Sequence, residues 1–450
     1  IILYNILLSD FMMSNVLIER AKKVLLNNHQ KGGFTIPTEK LYPFQWMWDS
    51  GFIALGFAHF DLEKAKTEIK NIFNAQWTNG FVPHIIFHTK ADTYFPGPDF
   101  FQSELSEFSS KKNKTSGITQ PPVFGFVLEK IYQIVDDKKD FLKFIKSQID
   151  KVYLNHVYFF ENRDINNEGL AYIYHNWESG TDNSPLWDSI WETMNPPDYK
   201  FERKDTDHVD SSQRPTKREY DHYIHLLEIA KNYNYEDKKI ADFSPFLVQD
   251  PLFNSILLKS NQSLINLYSL IGGEEKEIEY LENKLRMGIN SLNKKLYDSE
   301  LGAYVYYDLR NAKKLKLISS SSFSPLFCGA PDERISNQLK KTFSQKFSIE
   351  DKYTCASFDT SSENFNPKKY WRGPVWINLN WILFHGFNGY GFFDISERLK
   401  KDSIDLIENK GFYEYFDPSN KSDKNKERAC GSKNFSWTAA LYLDFCLRKI

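Results

Sequence analysis

Cysteine is scarce in this sequence. Four occur in 450 residues, at Cys328, Cys355, Cys430 and Cys446, and none forms a CxxC pair. That spacing excludes zinc ribbons and thioredoxin-type redox sites, and four thiols cannot frame a chain of this length. Free thiols in a reducing compartment are expected, which points to the cytoplasm. An excess of positive charge is also lacking. Lys and Arg total 57, Asp and Glu total 59, and the formal net charge is -2. No global field holds a nucleic-acid backbone, so no nucleic-acid partner is expected. The mean hydropathy of -0.52 excludes a polytopic membrane protein, and no membrane partner is expected. No GxGxxG and no Walker-type glycine-rich loop with lysine appears, so a nucleotide enzyme lacks support. The 10 histidines show no HExxH or equivalent spacing, and His222 with His225 reads as an ordinary helix pair. Neither a cofactor nor a metal is expected. An assembly of identical copies is left open.

Residues Ile1 to Met13 read IILYNILLSDFMM. The stretch is apolar, but it lacks a basic n-region and a small-residue cleavage site, and it is too short to span a bilayer. An extension ahead of a first helix is the expected role, with a degraded signal peptide as the alternative. Helical periodicity dominates the rest of the chain. Ile278, Leu281, Leu285, Ile289, Leu292 and Leu296 step by 3 and 4, an amphipathic stripe. Leu17, Ala21, Val24 and Leu25 mark an earlier stripe, and Tyr223, Leu226, Leu227 and Ala230 another. The same template predicts helices near 49–60, 62–76, 121–135, 139–152, 251–271, 331–346, 374–387, 393–408 and 435–448, about a dozen in all. Strand-like alternation is scarce; AYVYYD (303–308) is the best case and suggests a minor β-hairpin. Long loops at 77–120 and 153–220 are expected to be functional. No fixed-period repeat and no Pro- or Ser-rich linker divides the chain, and Lys-rich runs at 311–316 and 421–428 read as solvated surface. The economical picture is all-α: an extension and first helix over 1–33, then one domain over 34–450.

Aromatic residues are what the sequence has in quantity: 37 Phe, 25 Tyr and 10 Trp, or 16%. The tryptophans are grouped. Trp46 and Trp48 sit in YPFQWMWDSGF (42–52), and Trp177, Trp187 and Trp191 in NWESGTDNSPLWDSIW (176–191). Trp371, Trp376 and Trp381 sit in YWRGPVWINLNW (370–381), and Trp437 in FSWTAA (435–440). Each block carries amide, hydroxyl or charged groups beside the rings. A sugar needs that combination, aromatic faces for its C–H patches and polar groups for its hydroxyls. Burial in a helical core is the competing explanation. Carboxylates accompany the rings: Asp49, then Glu178, Asp182 and Asp188, then Glu414 and Asp417. Glycoside hydrolysis needs two, one protonated to release the leaving oxygen and one ionised. An aromatic setting raises a carboxyl pKa by desolvation, which suits the acid. Asp182 reads as a loop residue, for which a helix N-cap or Asx turn is the alternative role.

Taken together the blocks resemble glycoside hydrolase family sixty-three, in its bacterial branch of mannosylglycerate and glucosylglycerate hydrolases. The shared motifs are QWMWDSGF (45–52), GFVPHI (80–85), YFPGPDF (94–100), GITQPPV (117–123), ESGTDNSPLWD (178–188), HVDSSQRPTKREYDHY (208–223), YWRGPVWINLNW (370–381), GFYEYFDP (411–418) and FSWTAA (435–440). They stand in the family's order, from about Phe34 to the C-terminus. The resemblance implies an (α/α)6 toroid and an inverting mechanism. It makes Asp182 the general acid and Glu414 the general base, with the carboxyls ~6.5–9.5 Å apart. It places Trp46, Trp48, Asp49, Gln120, Trp177, Gly180 and Trp376 at the sugar subsite. Trp371 and Trp381 fit either the wall or the core. Arg214, Thr216 and Tyr220, with Tyr42, Tyr94 and Tyr370, match the branch's set for the small anionic glycerate, which calls for a guanidinium or convergent donors. For Arg214 a surface ion pair with Asp210 or Glu219 is the competing role.

The substrate expected is therefore a small-molecule glycoside of glycerate. A neutral α-glucoside such as glucosylglycerol or a trehalose-like sugar is the alternative, and a sugar-binding protein without catalysis is a third reading. The stretch 419–434 is Lys-rich where the family has a shorter turn, and the N-terminus before Phe34 lies outside the resemblance. The sequence does not separate glucose from mannose, which differ at one stereocentre.

Overall fold

The computed structural model describes residues 2–448, with side chains described from Asn15 onward. Ile1 and the side chains through Ser14, on which the extension-or-leader reading turns, lie outside the described residues. Twelve helices of eleven residues or more run through the described chain. They are α1 (Ile2–Asn28), α2 (Met47–Ala58), α3 (Leu62–Asn74), α4 (Phe124–Ile134), α5 (Lys138–Asn162), α6 (Lys217–Asn232), α7 (Pro251–Ile271), α8 (Glu275–Ser291), α9 (Glu333–Lys346), α10 (Ile377–Gly389), α11 (Phe393–Lys410) and α12 (Ser436–Leu447). The protein is mostly helical, and its strands are short.

The span 251–271 was expected and α7 occupies it, because its ends are written locally. Asp250 accepts from the backbone N–H of Leu252 at 2.7 Å, Pro251 fills the first turn, and Gly272 ends the helix at φ 67°. The expected end of α5 at 152 is wrong: the helix continues to Asn162, and the loop begins there instead. The buried face runs Phe141, Phe144, Ile145, Gln148, Ile149, Val152, Asn155, His156, Phe159 and Phe160. Three polar residues occupy that stripe, so its apolar periodicity fades although the helix does not.

α2 packs on α12 and α4, and α4 packs on α7. α7 packs on the 3-10 segment Ser320–Leu326, which packs on α10, and α10 packs on α12. The neighbours thus return to their start. Outside them, α3 lies on α2, α5 on α4 and α7, α8 on α7, α9 on the 3-10 segment, α11 on α10 and α1 on α12. Two inner helices are buried on every side: Met47 to Phe57 of α2 and Ser436 to Phe445 of α12 are all buried. The outer helix α3 instead alternates buried Ala65, Ile69, Ile72 and Phe73 with charged positions.

Four small antiparallel sheets decorate this helical body. In the 303–308 stretch, Ala303–Tyr304 pairs with Tyr297–Asp298, and Tyr306–Asp308 forms a hairpin with Lys313–Leu315. A further hairpin, Tyr413–Phe416 with Ala429–Lys433, carries Glu414. Among the described residues no helix is long and apolar enough to cross a membrane.

Close helix contacts depend on glycine. A Cβ on Gly56 would stand 2.5 Å from Ala440 Cβ, and one on Gly125 would stand 2.3 Å from the Ser260 carbonyl oxygen. The second obstacle is backbone and cannot rotate away. Gly125→Ala is therefore expected to destabilise the fold by about 1–3 kcal/mol, through overpacking that outweighs its better helix propensity. Urea unfolding against wild type measures this; an unchanged midpoint would contradict the tight α4–α7 contact.

Candidate active site

The beginnings of the inner helices converge on one cleft of ≈ 810 Å³. Trp46, Trp48 and Asp49 stand at the start of α2, Gln120 shortly before α4, Trp371 and Trp376 before α10, and Phe435 and Trp437 at the start of α12. Loops supply Tyr94, Trp177, Gly180, Asp182, Asp205, Arg214 and Tyr370, the first turn of α6 supplies Tyr220, and Tyr42 and Glu414 close the wall. Fifteen of the seventeen residues singled out in the sequence line this cleft.

Thr216 and Trp381 do not line it. Thr216 caps α6 in a reciprocal box: its hydroxyl accepts from the Glu219 N–H, and the Glu219 carboxylate accepts from the Thr216 N–H at 2.7 Å. Trp381 is core, and its indole N–H donates to Asp444 Oδ2 at 2.7 Å. The motifs that contain both residues also contain cleft residues, so sequence proximity drew them in. Arg214 is not a surface ion pair either. It is buried, and its Nε donates to Asp205 Oδ2 at 3.2 Å rather than to Asp210 or Glu219. Asp205, His84, Phe95, Phe435 and Trp437 line the cleft without having been singled out. His84 and Trp437 sit inside quoted motifs; Asp205 had no signal, because its partners are found only in three dimensions.

The acidic residues separate by environment. Asp188 pairs with Arg372, whose Nη1 is 2.9 Å from Oδ1. Glu178 is buried against Arg163, with N···O distances of 3.1 and 3.2 Å. Glu178 also accepts from the backbone N–H of Thr119 and of Tyr174, at 3.2 and 3.0 Å. One carboxylate thus ties the Gln120 loop to the Trp177–Asp182 loop. Asp417 binds the Ser419 N–H at 2.8 Å and Lys426 at 3.1 Å. Asp49, Asp182 and Glu414 remain in the cleft.

Asp182 caps no helix. Ser184 does that for the next turn, and the Asp182 carboxyl receives the Tyr370 hydroxyl at 3.2 Å. Its loop bends at Gly180, which sits at φ 72°. A Cβ there would be 2.5 Å from the Trp48 ring, so glycine is needed for both conformation and contact. Glu414 Oε1 accepts from Tyr42 at 2.9 Å, and Oε2 accepts from the Ser432 N–H at 3.0 Å. Arg214 Nη1 stands 3.7 Å from Glu414 Oε1, and Nη2 donates to the Tyr42 hydroxyl at 3.1 Å. Arg214 also lies 4.0 Å over the Tyr370 ring. The aromatic floor is rigid: Trp371 and Trp376 stack at 3.7 Å, and Trp376 stacks on Tyr415 at 4.7 Å. Gln120 fixes the start of α2 by accepting from the Trp48 N–H at 3.2 Å.

Burial pushes the Asp182 carboxyl up to about 7, against the opposing pull of Arg214 and Tyr370. Burial raises Glu414 as well, but Arg214, the Ser432 N–H and Tyr42 oppose it. Asp49 is raised well above the carboxylate range by burial, reinforced by Glu414 and Asp182. The arrangement offers two carboxyls, Asp49 and Asp182, pushed toward their protonated forms, and a third, Glu414, held by donors and a guanidinium. Among the described residues no group of three or more His, Cys, Asp or Glu is placed to hold a metal ion.

Arg163 holds this loop structure from behind. It pairs with both Glu178 and Asp237, and all three side chains are buried. Arg163→Met is expected to strand two buried carboxylates and to cost about 3–5 kcal/mol. A thermal melt near neutral pH reads this; a variant that melts with wild type would show that the triad does not hold the loops.

Similarity to known proteins extends over the same residues. The mannosylglycerate hydrolase MGH1-like glycoside hydrolase domain model matches residues 42–438. The mannosylglycerate hydrolase of Rubrobacter radiotolerans is 37% identical over 439 residues, 96% of this chain and 97% of that protein. The glucosylglycerate hydrolase of Mycolicibacterium hassiacum is 32% identical over 438 residues, 94% of this chain and 96% of that protein. The crystal structure of the family sixty-three mannosylglycerate hydrolase from Thermus thermophilus, in complex with Tris and D-glycerate, is similar with a TM-score of 0.88 at 37% identity. That similarity covers 96% of this chain and 100% of that one.

Proposed function

Because this chain belongs to the mannosylglycerate hydrolase MGH1-like glycoside hydrolase family, we propose that it cleaves glucosylglycerate or mannosylglycerate to free sugar and glycerate. It is an O-glycosyl hydrolase, and its substrate is a small-molecule glycoside. One observation supports the assignment most: Asp182 and Glu414 share an aromatic cleft with a buried arginine whose Nη1 has no hydrogen-bond partner. The carboxyls fit acid and base, and the bare guanidinium edge fits a carboxylate aglycone.

In this reading the reaction inverts. The sugar lies on Trp48, Trp177 and Trp376, with Asp49 and Gln120 facing its hydroxyls. Asp182 gives its proton to the glycosidic oxygen as the bond to the anomeric carbon breaks. Glu414 takes a proton from the water that attacks the opposite face. Tyr42, Tyr94, Arg214, Tyr220 and Tyr370 surround the glycerate. Burial favours the protonated form of Asp182, as an acid needs; burial raises Glu414 too, but Arg214 and two hydrogen bonds oppose it and favour the charged form that a base needs. We place the reaction in an (α/α)6 toroid whose inner ring lies within residues 34–450, with α1 ahead of them serving as the outer partner of α12. The ring of inner helices, each backed by an outer one, supports that architecture. Four free cysteines support a cytoplasmic setting.

Sugar release from glucosylglycerate and mannosylglycerate, followed by NMR, tests the reading. Immediate formation of the β-anomer from an α-glycoside is the expected result, abolished in Asp182→Asn. Release of the α-anomer first would overturn inversion, and no release from either compound would overturn the glycerate assignment.

The pH profile is a separate expectation. The acid must be protonated, so kcat/KM should fall as pH rises through about 7, the value to which burial brings Asp182. The base must be ionised, so kcat/KM should also fall in the acid range as Glu414 takes up a proton. Initial rates across pH measure both limbs, and a rate still rising well above pH 8 would rule Asp182 out as the acid.

A further inference from the structure

We propose that Arg203, which stands behind the cleft wall, is a positioning residue that makes the site select an anionic aglycone over a neutral one. The inference rests on the glycerate reading above and extends it to a residue that does not line the cleft. Arg203 touches three residues that do. Its Nε and Nη2 grip Asp205 at 3.0 and 2.6 Å. Its Nη1 donates to the Pro215 carbonyl oxygen. Its guanidinium lies 4.3 Å over the Tyr220 ring.

The charges explain the consequence. Arg214 is the cation placed to meet a carboxylate, yet two carboxylates already face it. Asp205 Oδ2 is 3.2 Å from its Nε, and Glu414 Oε1 is 3.7 Å from its Nη1. All three side chains are buried, with 4%, 9% and 1% of their surfaces exposed. With ionised Glu414 and no second cation, this cluster would carry one net negative charge and oppose an incoming anion. Arg203 supplies the second cation. It balances the cluster and divides the attention of Asp205 between two guanidinium groups. Arg214 then keeps one donor unsatisfied: Nη1 is buried, has no hydrogen-bond partner and makes only the 3.7 Å ion-pair contact with Glu414. The bidentate grip also fixes Asp205, which fixes the Nε edge of Arg214.

A neutral aglycone gains little from this balance, so the readout is a ratio. We would measure kcat/KM for glucosylglycerate and for its neutral analogue glucosylglycerol in wild type, Arg203→Met and the double variant Arg203→Met/Asp205→Asn. The single variant should lower the anion-to-neutral ratio by about tenfold, chiefly through KM for the anion. The double variant removes one charge of each sign and should recover most of the ratio. General damage to the loop would lower both substrates together, and the second substitution would not repair it. Equal losses on both substrates, or no recovery in the double variant, would overturn the proposal. Competition between D-glycerate and glycerol for binding, measured by calorimetry, reads the same preference without turnover. A wild type that releases no sugar would therefore condemn the functional reading alone. An unchanged binding preference in Arg203→Met would condemn the role of Arg203.

Discussion

Two phenolic hydroxyls, those of Tyr42 and Tyr370, lie 3.2 Å apart on the path between the two carboxyls of the cleft, and each gives its single proton to one of them, Tyr42 to Glu414 and Tyr370 to Asp182. Asp182 touches one phenol and Glu414 the other. Each buried acid thus has a phenol of its own, and the phenols stand between them. Arg214 lies over one of these rings and donates to the hydroxyl of the other. Remove the phenols and burial would leave both carboxyls short of partners in a medium of low dielectric. The aromatic floor and the glycine bend at 180 are arranged around that path.

The path stays in place because each end is braced from outside. Gly431, at φ 67°, lets the return strand approach Glu414, since a Cβ there would stand 2.4 Å from Oε2. Gln213 accepts from the Gly431 N–H at 2.9 Å, so the loop that carries Arg214 is pinned to the hairpin that carries Glu414. On the other side the Arg163–Glu178–Asp237 triad fixes the loop that leads to Asp182. A buried ion triad adds little net stability over apolar packing, but it specifies geometry by making every alternative costly. That is a sensible use of buried charge beside a site whose parts come from distant stretches of chain.

Much of this was legible in the sequence, for identifiable reasons. α7 was readable because a capping aspartate, a first-turn proline and a terminal glycine all lie next to it. α5 was cut short because Gln148, Asn155 and His156 face inward, where periodicity expects apolar residues. The tryptophan blocks marked the cleft because a motif keeps aromatic and polar groups adjacent along the chain. Asp205 stayed hidden because its meaning lies in Arg203 and Arg214, two and nine residues away, and in a cleft that only folding creates. Thr216 was over-read for the opposite reason: it neighbours functional residues in sequence while its hydroxyl ends a helix. The Glu414 hairpin was not expected as strands, since its return strand comes after a Lys-rich turn that reads as plain surface.

The contact between Gly180 and Trp48 sets a boundary on how such a site can diverge. The Trp48 ring touches the bend that leads to Asp182, with no side chain between them. A substitution that enlarged or tilted the Trp48 ring would therefore also displace the Asp182 carboxyl. Change around Arg214 meets a different coupling, because Arg214 touches Tyr42, Tyr370 and Glu414 and its loop is pinned to the Glu414 hairpin through Gln213. The fold therefore yokes each side of the cleft to one of its carboxyls: the Trp48 platform to Asp182 and the Arg214 loop to Glu414.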